Sequence, residues 1–194
     1  MVVLWDLMGT LIHDPFFVEF IERLDEPVGS WMKNRDRQAW VDFELGHIEE
    51  HEFFERLFPE DPIKGLEMKS IFMNNYRFLP GVKKVLQRVN SEGGNSHVLS
   101  NYPEWYNEMF QRLELSSYFD RVFVSCDIGL RKPDPKIYQH VLQQLDCCAS
   151  ELIFIDDRRV NCQSASDLGI RTIQFSSAEH LEEALFKDGG SARM

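Results

Sequence analysis

The chain opens with a short apolar run that ends in an aspartate. Residues 2–5 read Val-Val-Leu-Trp, Asp6 follows directly, and Gly9 stands three residues later. A short continuous apolar run is typical of a strand buried on both faces of a parallel sheet. The glycine lets the backbone turn away while the carboxylate stays at the carboxyl end of the strand, where ligands of α/β proteins bind. The sequence therefore predicts an α/β fold whose first strand presents a carboxylate to a binding site.

A second apolar run with the same ending occurs late in the chain. Residues 152–155 read Leu-Ile-Phe-Ile and are followed by Asp156 and Asp157. Two parallel strands that end in acids bring their carboxylates to one edge of the sheet, where they favour a hard cation, above all Mg²⁺. The sequence thus predicts a cation site at this edge.

The pattern of strands and helices divides the chain into two parts. Residues 15–79 read as helices without a convincing strand, whereas strands and helices alternate from residue 80 onward. Such alternation predicts a Rossmann-like parallel sheet with helices on both faces. We predict an α/β core domain of residues 1–14 and 80–194, with residues 15–79 inserted after the first strand as a small helical cap domain. Residues 189–194 read as a frayed tail.

The alternating part predicts individual elements. Further strands are expected at residues 97–100, 121–125, 151–155 and 171–175, and helices from Pro80 to about residue 92 and at residues 104–113, 135–145, 161–168 and 178–186.

Composition and charge exclude several classes of partner. The formal net charge of −11, without a basic stripe, argues against nucleic acid and anionic membranes. No apolar stretch approaches the roughly 20 residues that cross a bilayer. The four cysteines lack metal-ligand spacing and are expected to be reduced thiols. We expect a soluble protein of the cytoplasm, or of an organelle stroma or matrix after transit-peptide removal; the sequence leaves its oligomeric state open.

Four motifs, taken in order, give the chain a resemblance to a known family. They are Asp6-Leu7-Met8-Gly9-Thr10, Ser100-Asn101 at the end of a strand, Lys132 in Arg131-Lys132-Pro133-Asp134-Pro135, and Asp156-Asp157 with Arg158 and Asn161 beyond. With these motifs the chain resembles the haloacid dehalogenase-like hydrolase superfamily over nearly its whole length. The helical insertion stands where family members with a C1 cap carry theirs. The resemblance implies an Mg²⁺-dependent phosphatase that acts on a small phosphate ester.

The resemblance also implies catalytic roles. Asp6 is expected to attack the phosphorus atom and form an aspartyl-phosphate, which water then hydrolyses. An anionic nucleophile is repelled by a phosphoryl group unless positive charge is held nearby, and Lys132 with Mg²⁺ would supply that charge. Ser100 would hydrogen-bond the phosphoryl oxygens, as would backbone N–H groups around Asn101 and Leu7.

The metal ligands implied by the resemblance come from the first and fourth motifs. Asp6, the backbone carbonyl of Met8 and Asp156 would hold Mg²⁺, and Asp157 would act directly or through water. Asn161 is also a good residue to cap the start of a helix, and Asp134 can serve either the adjoining loop or Lys132; both alternatives stay open.

Met8 is the departure from the commonest family pattern. Most family phosphatases carry there a second aspartate, which protonates the leaving oxygen and then activates the attacking water. Methionine can do neither. Haloacid dehalogenases also lack that aspartate, but they do not typically keep the acid pair Asp156-Asp157, so a phosphatase is favoured. His13 is the nearest titratable substitute, although a plain surface histidine is an alternative.

The predicted cap decides the substrate. It holds half of the aromatic residues of the chain, most of them expected in its core. The strings around Asp6 and around Ser100 resemble those of the plant-type flavin mononucleotide (FMN) hydrolase branch. This implies FMN as the leading substrate, with Trp105 expected among the rings that bind it. A sugar-phosphate phosphatase, a dehalogenase-type hydrolase and a non-catalytic ligand-binding or scaffold protein are the alternatives.

Overall fold

Five parallel strands form a single sheet at the centre of the protein. The computed structural model describes residues 1–33 and 35–186, so the predicted tail at residues 189–194 lies outside the described residues. The sheet order is β3-β2-β1-β4-β5, and the strands are β1 Val2–Trp5, β2 Asn95–Ser100, β3 Arg121–Val124, β4 Leu152–Asp156 and β5 Arg171–Gln174. The predicted Rossmann-like α/β class is confirmed.

The register of the central strand aligns the acidic motifs. Trp5 of β1 lies opposite Val98 of β2 on one side and opposite Ile155 of β4 on the other. Because the strands are parallel, Asp6 and Asp156 come out at the same level at the carboxyl end of the sheet.

Helices occupy the connections between the strands. Between β1 and β2 lie a π-helical turn Phe16–Phe20, a 3₁₀ turn Ile21–Arg23, and the α-helices α1 Val28–Lys33, α2 Arg37–Glu44, α3 Glu50–Leu57, α4 Ile63–Asn75 and α5 Val82–Ser91. The later α-helices are α6 Tyr106–Leu113, α7 Ser125–Ile128, α8 Pro135–Leu145, α9 Arg159–Ser166 and α10 Ala178–Phe186, with 3₁₀ turns at Leu115–Ser117 and Ala149–Glu151. In the described part of the chain, none of these helices is long and apolar enough to cross a membrane.

Several element boundaries differ from the sequence prediction by one to two residues, and two of these differences have identifiable reasons. Helix α5 begins at Val82 and not at Pro80, because Gly81 before it has a φ of 80°, which a helix does not allow. Strand β3 ends at Val124, since Ser125 already starts the short helix α7, which the sequence did not predict. The Ser125 hydroxyl accepts the N–H of Tyr102 and donates to the carbonyl oxygen of Glu44 in α2.

The block predicted as a cap shares its hydrophobic core with the rest of the protein. Trp105, just before α6, packs against Trp40, Phe43 and Phe53 of α2 and α3 and against Phe72 of α4. Burial of these rings removes a large apolar area from water and joins the block to the sheet side of the molecule. We propose residues 15–79 as a cap domain, with Trp105 as part of its attachment.

Candidate active site

The side chain of Lys132 lies at the centre of the site. Its Nζ atom donates to Asp6 Oδ1 at 2.6 Å, to Asp156 Oδ2 at 2.7 Å and to the carbonyl oxygen of Leu99 at 2.8 Å. Lys132 is 2% exposed, Asp6 is 6% exposed and Asp156 is fully buried. The structure therefore brings together the three residues that the sequence placed in the first, third and fourth motifs.

Burial and neighbouring charges set the ionisation of this cluster. Desolvation raises the pKa of Asp6 to about 7, with Lys132 opposing the rise and Asp156 adding to it. The desolvation of the Lys132 ammonium is outweighed by the two carboxylates, so the pKa of Lys132 is raised. The lysine stays protonated, and a further cation beside Asp6 would favour the carboxylate form, which is the form that attacks.

Asp156 is held by donors from the helix that follows it. The backbone N–H of Arg158 donates to Asp156 Oδ1 at 2.8 Å, and the side-chain amide of Asn161 donates to both carboxylate oxygens at 3.0 Å. Asn161 is buried two residues inside α9, where Arg158 occupies the capping position. The reading of Asn161 as a helix cap is therefore wrong; it orients the carboxylate of Asp156.

Thr10 joins the two acidic motifs, a role that the sequence analysis missed. Its hydroxyl donates to Asp6 Oδ2 at 3.2 Å and accepts the N–H of Asp157 at 3.0 Å. Gly9 has a φ of 79°, and a Cβ there would lie 2.9 Å from Asp157 Oδ2. The glycine is thus needed both for the turn and for the close approach of Asp157. The position of Thr10, four residues after Asp6 in a tight turn, was the available signal.

The three carboxylates fit a divalent cation. One oxygen from each of Asp6, Asp156 and Asp157 lies within 4.8 Å of the other two. Asp157 Oδ1 is buried without a hydrogen-bond partner among the described residues, so it is left for a ligand. Carboxylate oxygens are the ligands that Mg²⁺ prefers. The residues present therefore fit the predicted Mg²⁺ site, to which the backbone carbonyl of Met8 remains a predicted contributor.

Ser100 and Asn101 leave the end of β2 with different environments. Ser100 Oγ is buried and has no hydrogen-bond partner within residues 1–33 and 35–186, an arrangement that costs free energy unless a ligand completes it. The Asn101 side chain accepts the N–H of Lys132 at 2.8 Å and donates to the carbonyl oxygen of Lys132 at 2.8 Å. Asn101 thus positions Lys132, while its predicted backbone contact with a phosphoryl group stays a prediction.

Two predicted binding residues lie away from the cavity. Leu7 is fully buried, and its carbonyl oxygen accepts the N–H groups of the turn that follows. Trp105 is 2% exposed, belongs to the aromatic core, and donates from Nε1 to Glu50 in α3. Neither side chain is among the residues that line the cavity over Asp6. A contact of Leu7 with substrate would use its backbone N–H, as predicted.

His13, the predicted substitute for the missing acid, faces another partner. Its Nε2 lies 2.7 Å from Glu19 Oε2, and Arg77 donates to the other oxygen of Glu19 at 3.0 Å. Partial desolvation opposes the effect, but these hydrogen bonds lower the pKa of Glu19 to about 2. His13 does not line the cavity. Asp134 caps α8 by accepting the N–H of Lys136 at 2.9 Å, so its structural reading is the one observed.

A cavity of about 580 Å³ opens above Asp6. Aromatic side chains form much of its wall, namely Phe16, Phe17, Trp31, Trp40, Phe72 and Tyr102. Cationic side chains also reach it, namely Arg35, Arg37, Arg131, Lys132 and Arg158. Five carboxylates line the same cavity, so cations and anions balance there, whereas the whole chain has a net charge of −11; this local share of cations suits an anionic ligand.

One ion pair connects the helical block to the lysine motif at the cavity. Arg131 Nη2 lies 2.5 Å from Glu44 Oε1, and the Glu44 side chain is 4% exposed. Desolvation raises the pKa of Glu44 against the opposing effect of Arg131. The two residues are far apart in the chain, and no periodic pattern or motif could have indicated their contact.

Comparison with known proteins agrees with this geometry. The sequence model of the family described as "Haloacid dehalogenase-like hydrolase" matches residues 3–175. The chain is 32% identical over 185 residues to the chloroplastic flavin mononucleotide hydrolase 1 of Arabidopsis thaliana, covering 95% of this chain and 76% of that protein. It is 31% identical over 140 residues to a sesquiterpene phosphatase of Aspergillus oryzae, covering 69% of this chain and 70% of that protein.

A solved structure shares the fold. A HAD family enzyme from Bacteroides thetaiotaomicron, crystallised with magnesium and inorganic phosphate, superposes with a TM-score of 0.71 at 20% identity. The match covers 93% of this chain and 98% of that one.

Proposed function

The chain belongs to the haloacid dehalogenase-like hydrolase family, and from that premise we propose that it is an Mg²⁺-dependent phosphatase with Asp6 as nucleophile. The observation that carries the proposal is the cluster at the sheet edge: Lys132 bonded to Asp6 and Asp156, with the Ser100 hydroxyl buried and unpartnered among the described residues. A phosphoryl group bound there would meet a nucleophile, a fixed cation and a free hydrogen-bond donor.

The residues of the chain divide the work as follows. Asp6 attacks phosphorus, the bond to the leaving oxygen breaks, and an aspartyl-phosphate forms; water then releases phosphate and restores the carboxylate. Lys132 holds positive charge beside Asp6 throughout, and the Ser100 hydroxyl donates a hydrogen bond to a phosphoryl oxygen. Bound Mg²⁺ would be held by Asp6, Asp156 and Asp157 and would neutralise charge on the phosphoryl group.

A binding or scaffold protein is disfavoured by the energetic cost of this cluster. Two carboxylates are buried with a single ammonium, so one negative charge is desolvated without a matching cation, which is costly. A protein that had lost turnover would have no reason to keep both the three carboxylates that fit a cation and a Ser100 hydroxyl that is buried without a partner among the described residues. The same three carboxylates, which fit a metal ion, disfavour a dehalogenase that works without metal.

For the substrate we propose FMN. The cavity has the volume of a small-molecule site, and a wall of rings with cationic side chains suits a planar ring system that carries a phosphate. Trp40 lies in this wall, and the Arg35 guanidinium lies 5.8 Å from the centroid of the Trp31 ring. The name of the Arabidopsis thaliana relative supports both this substrate and the organelle alternative for location.

A substrate panel tests the proposal. Phosphate release should be measured with Mg²⁺ on FMN, pyridoxal phosphate, sugar phosphates, a prenyl phosphate and an aryl phosphate. FMN should give the highest kcat/KM. In Trp40→Leu the KM for FMN should rise roughly tenfold, about the worth of one stacked ring pair, while the KM for a small aryl phosphate stays near wild type.

The outcomes distinguish a wrong substrate from a wrong enzyme class. A sugar or prenyl phosphate preferred over FMN would replace the substrate and keep the phosphatase. Release of phosphate from none of these esters, with the protein folded and Mg²⁺ present, would overturn the phosphatase itself.

A further inference from the structure

The reaction needs a proton donor that the first motif does not provide. Hydrolysis of an alkyl phosphate leaves an alkoxide, which must be protonated as it departs, and Met8 cannot donate a proton. His13 is turned to Glu19 and does not line the cavity. The inference below rests on the proposed phosphatase function and concerns which residue supplies this proton.

Four carboxylates besides Asp6 line the cavity, and three of them have other partners or roles. Asp157 is one of the three carboxylates that fit a divalent cation. Asp36 caps α2 and bonds Arg56, and Glu44 pairs with Arg131. The fourth, Asp14, forms no ion pair in the part of the chain that the structure describes. Its Oδ1 accepts the N–H of Phe16 at 3.0 Å, and within the described ranges no hydrogen bond uses its Oδ2.

The turn after β1 brings Asp14 to the wall of the cavity that also holds Asp6. Gly9 donates to the carbonyl oxygen of Ile12 at 2.8 Å, Ile12 donates back to that of Leu7 at 2.8 Å, and Ile12 bridges to Met8. These bonds fold the segment back on itself, so that Asp14, two residues further, lines the same cavity as Asp6 and Met8.

The surroundings of Asp14 favour its protonated form. Desolvation raises the pKa of Asp14, with the Phe16 N–H and His13 opposing the rise and Glu19 adding to it. The hydroxyls of Tyr76 and Tyr102 are buried and hydrogen-bond each other at 2.5 Å; desolvation raises their pKa values, and the charge of Asp14 adds to the rise. The other charged residues that line the cavity are Asp6, Asp36, Glu44, Asp157, Arg35, Arg37, Arg131, Lys132 and Arg158.

We propose that Asp14 is the general acid and base of this enzyme, in place of the aspartate that Met8 replaces. In the first step Asp6 bonds to phosphorus, the bond from phosphorus to the leaving oxygen breaks, and that oxygen takes the proton of the Asp14 carboxyl. In the second step water bonds to phosphorus and gives a proton to the Asp14 carboxylate, the bond to Asp6 breaks, and phosphate leaves. Both carboxyl groups return to their starting states.

The test compares leaving groups in Asp14→Asn. The amide still accepts the Phe16 N–H through its oxygen but cannot transfer a proton, so the fold and melting temperature should be kept. With FMN or another alkyl phosphate, kcat/KM should fall about 10²–10⁴-fold, whereas with an aryl phosphate it should fall far less. The fall of kcat/KM for the alkyl ester at high pH, where Asp14 loses its proton, should disappear in the variant.

Three further variants keep the test decisive. His13→Asn should keep the wild-type ratio of alkyl to aryl phosphate rates; because His13 opposes the raised pKa of Asp14, the fall of kcat/KM should move to higher pH in this variant and not disappear. Asp14→Glu should recover part of the alkyl phosphate rate, and Met8→Asp should recover part of it in the Asp14→Asn background, because it returns an acid to the cavity.

The results that would contradict the role of Asp14 differ from those that would contradict the phosphatase function. An equal loss on both esters with the wild-type pH profile, or an alkyl phosphate rate within about threefold of wild type, would overturn the role of Asp14 while the phosphatase stands. A wild-type protein that hydrolyses neither ester would overturn the proposed function, and the role of Asp14 with it.

Discussion

Replacing Lys132 by methionine should expose how the site is held together. The change removes a cation that bonds Asp6 at 2.6 Å and Asp156 at 2.7 Å and keeps most of the side-chain volume. Breaking a buried ion pair by removing one partner costs about 3–5 kcal/mol, because the remaining charge stays buried without compensation. We expect a loss of that size in the free energy of unfolding near pH 8.

The loss should depend on pH in a definite direction. Without Lys132, the pKa of Asp6 in the folded protein rises further above its unfolded value, since the one opposing effect in the cluster is gone. A carboxyl with a raised folded pKa destabilises the protein at pH values above that pKa. The penalty shrinks as the pH falls from the folded pKa toward the unfolded pKa, because in this range the folded protein binds a proton on the carboxyl and the unfolded chain does not. The Lys132→Met penalty should therefore be smaller near pH 5 than near pH 8.

Urea unfolding in chelator, at both pH values, measures this effect. Lys136→Met is the matched control, because Lys136 is exposed four residues along the chain and should change stability by less than about 0.5 kcal/mol. A Lys132→Met protein within about 1 kcal/mol of wild type at pH 8 would refute the view that this lysine compensates two buried carboxylates.

Three further predictions follow from the same geometry. Excess chelator should stop phosphate release and Mg²⁺ should restore it, and Asp156→Asn should need far more Mg²⁺ for half-maximal rate; full activity in chelator would contradict the metal site. Ser100→Ala should lower kcat about 10²–10³-fold, because a donor to the phosphoryl oxygens is lost. Stability should be kept, since the hydroxyl has no protein partner among the described residues. An unchanged kcat would show that Ser100 does not contact the phosphoryl group. Met8→Asp alone should not accelerate the wild-type enzyme if Asp14 already supplies the acid, and a clear gain on poor leaving groups would show instead that the enzyme lacks one.

The sequence was sufficient where chemistry is local and strand order is simple. Each of two apolar runs is followed by an acid, and this pattern predicts that Asp6 and Asp156 lie at the same edge of the sheet, because parallel strands bring equivalent ends together. The Asp134-Pro135 pair marks the start of α8, which begins at Pro135 as predicted, with Asp134 as its cap.

The sequence was insufficient where the decisive contact is long-range. Asn161 suits a helix cap by propensity, yet α9 starts earlier and its amide reaches Asp156. Trp105 has the chemistry of a stacking residue, but the helical block supplies enough rings to bury it. Asp14 sits in no recognised motif, and only the folded-back turn brings it to the cavity.

The most direct test of the account is phosphate release by wild type and by Asp6→Asn in Mg²⁺, with mass spectrometry to locate a trapped phosphoryl group. The amide has nearly the shape of the carboxylate but cannot attack, so the variant should stay folded and lose more than about 99% of the rate. In the wild type the phosphoryl group should be found on Asp6. A variant that keeps more than about one hundredth of the wild-type rate, or a phosphoryl group on another residue, would contradict the assignment of Asp6 as the nucleophile.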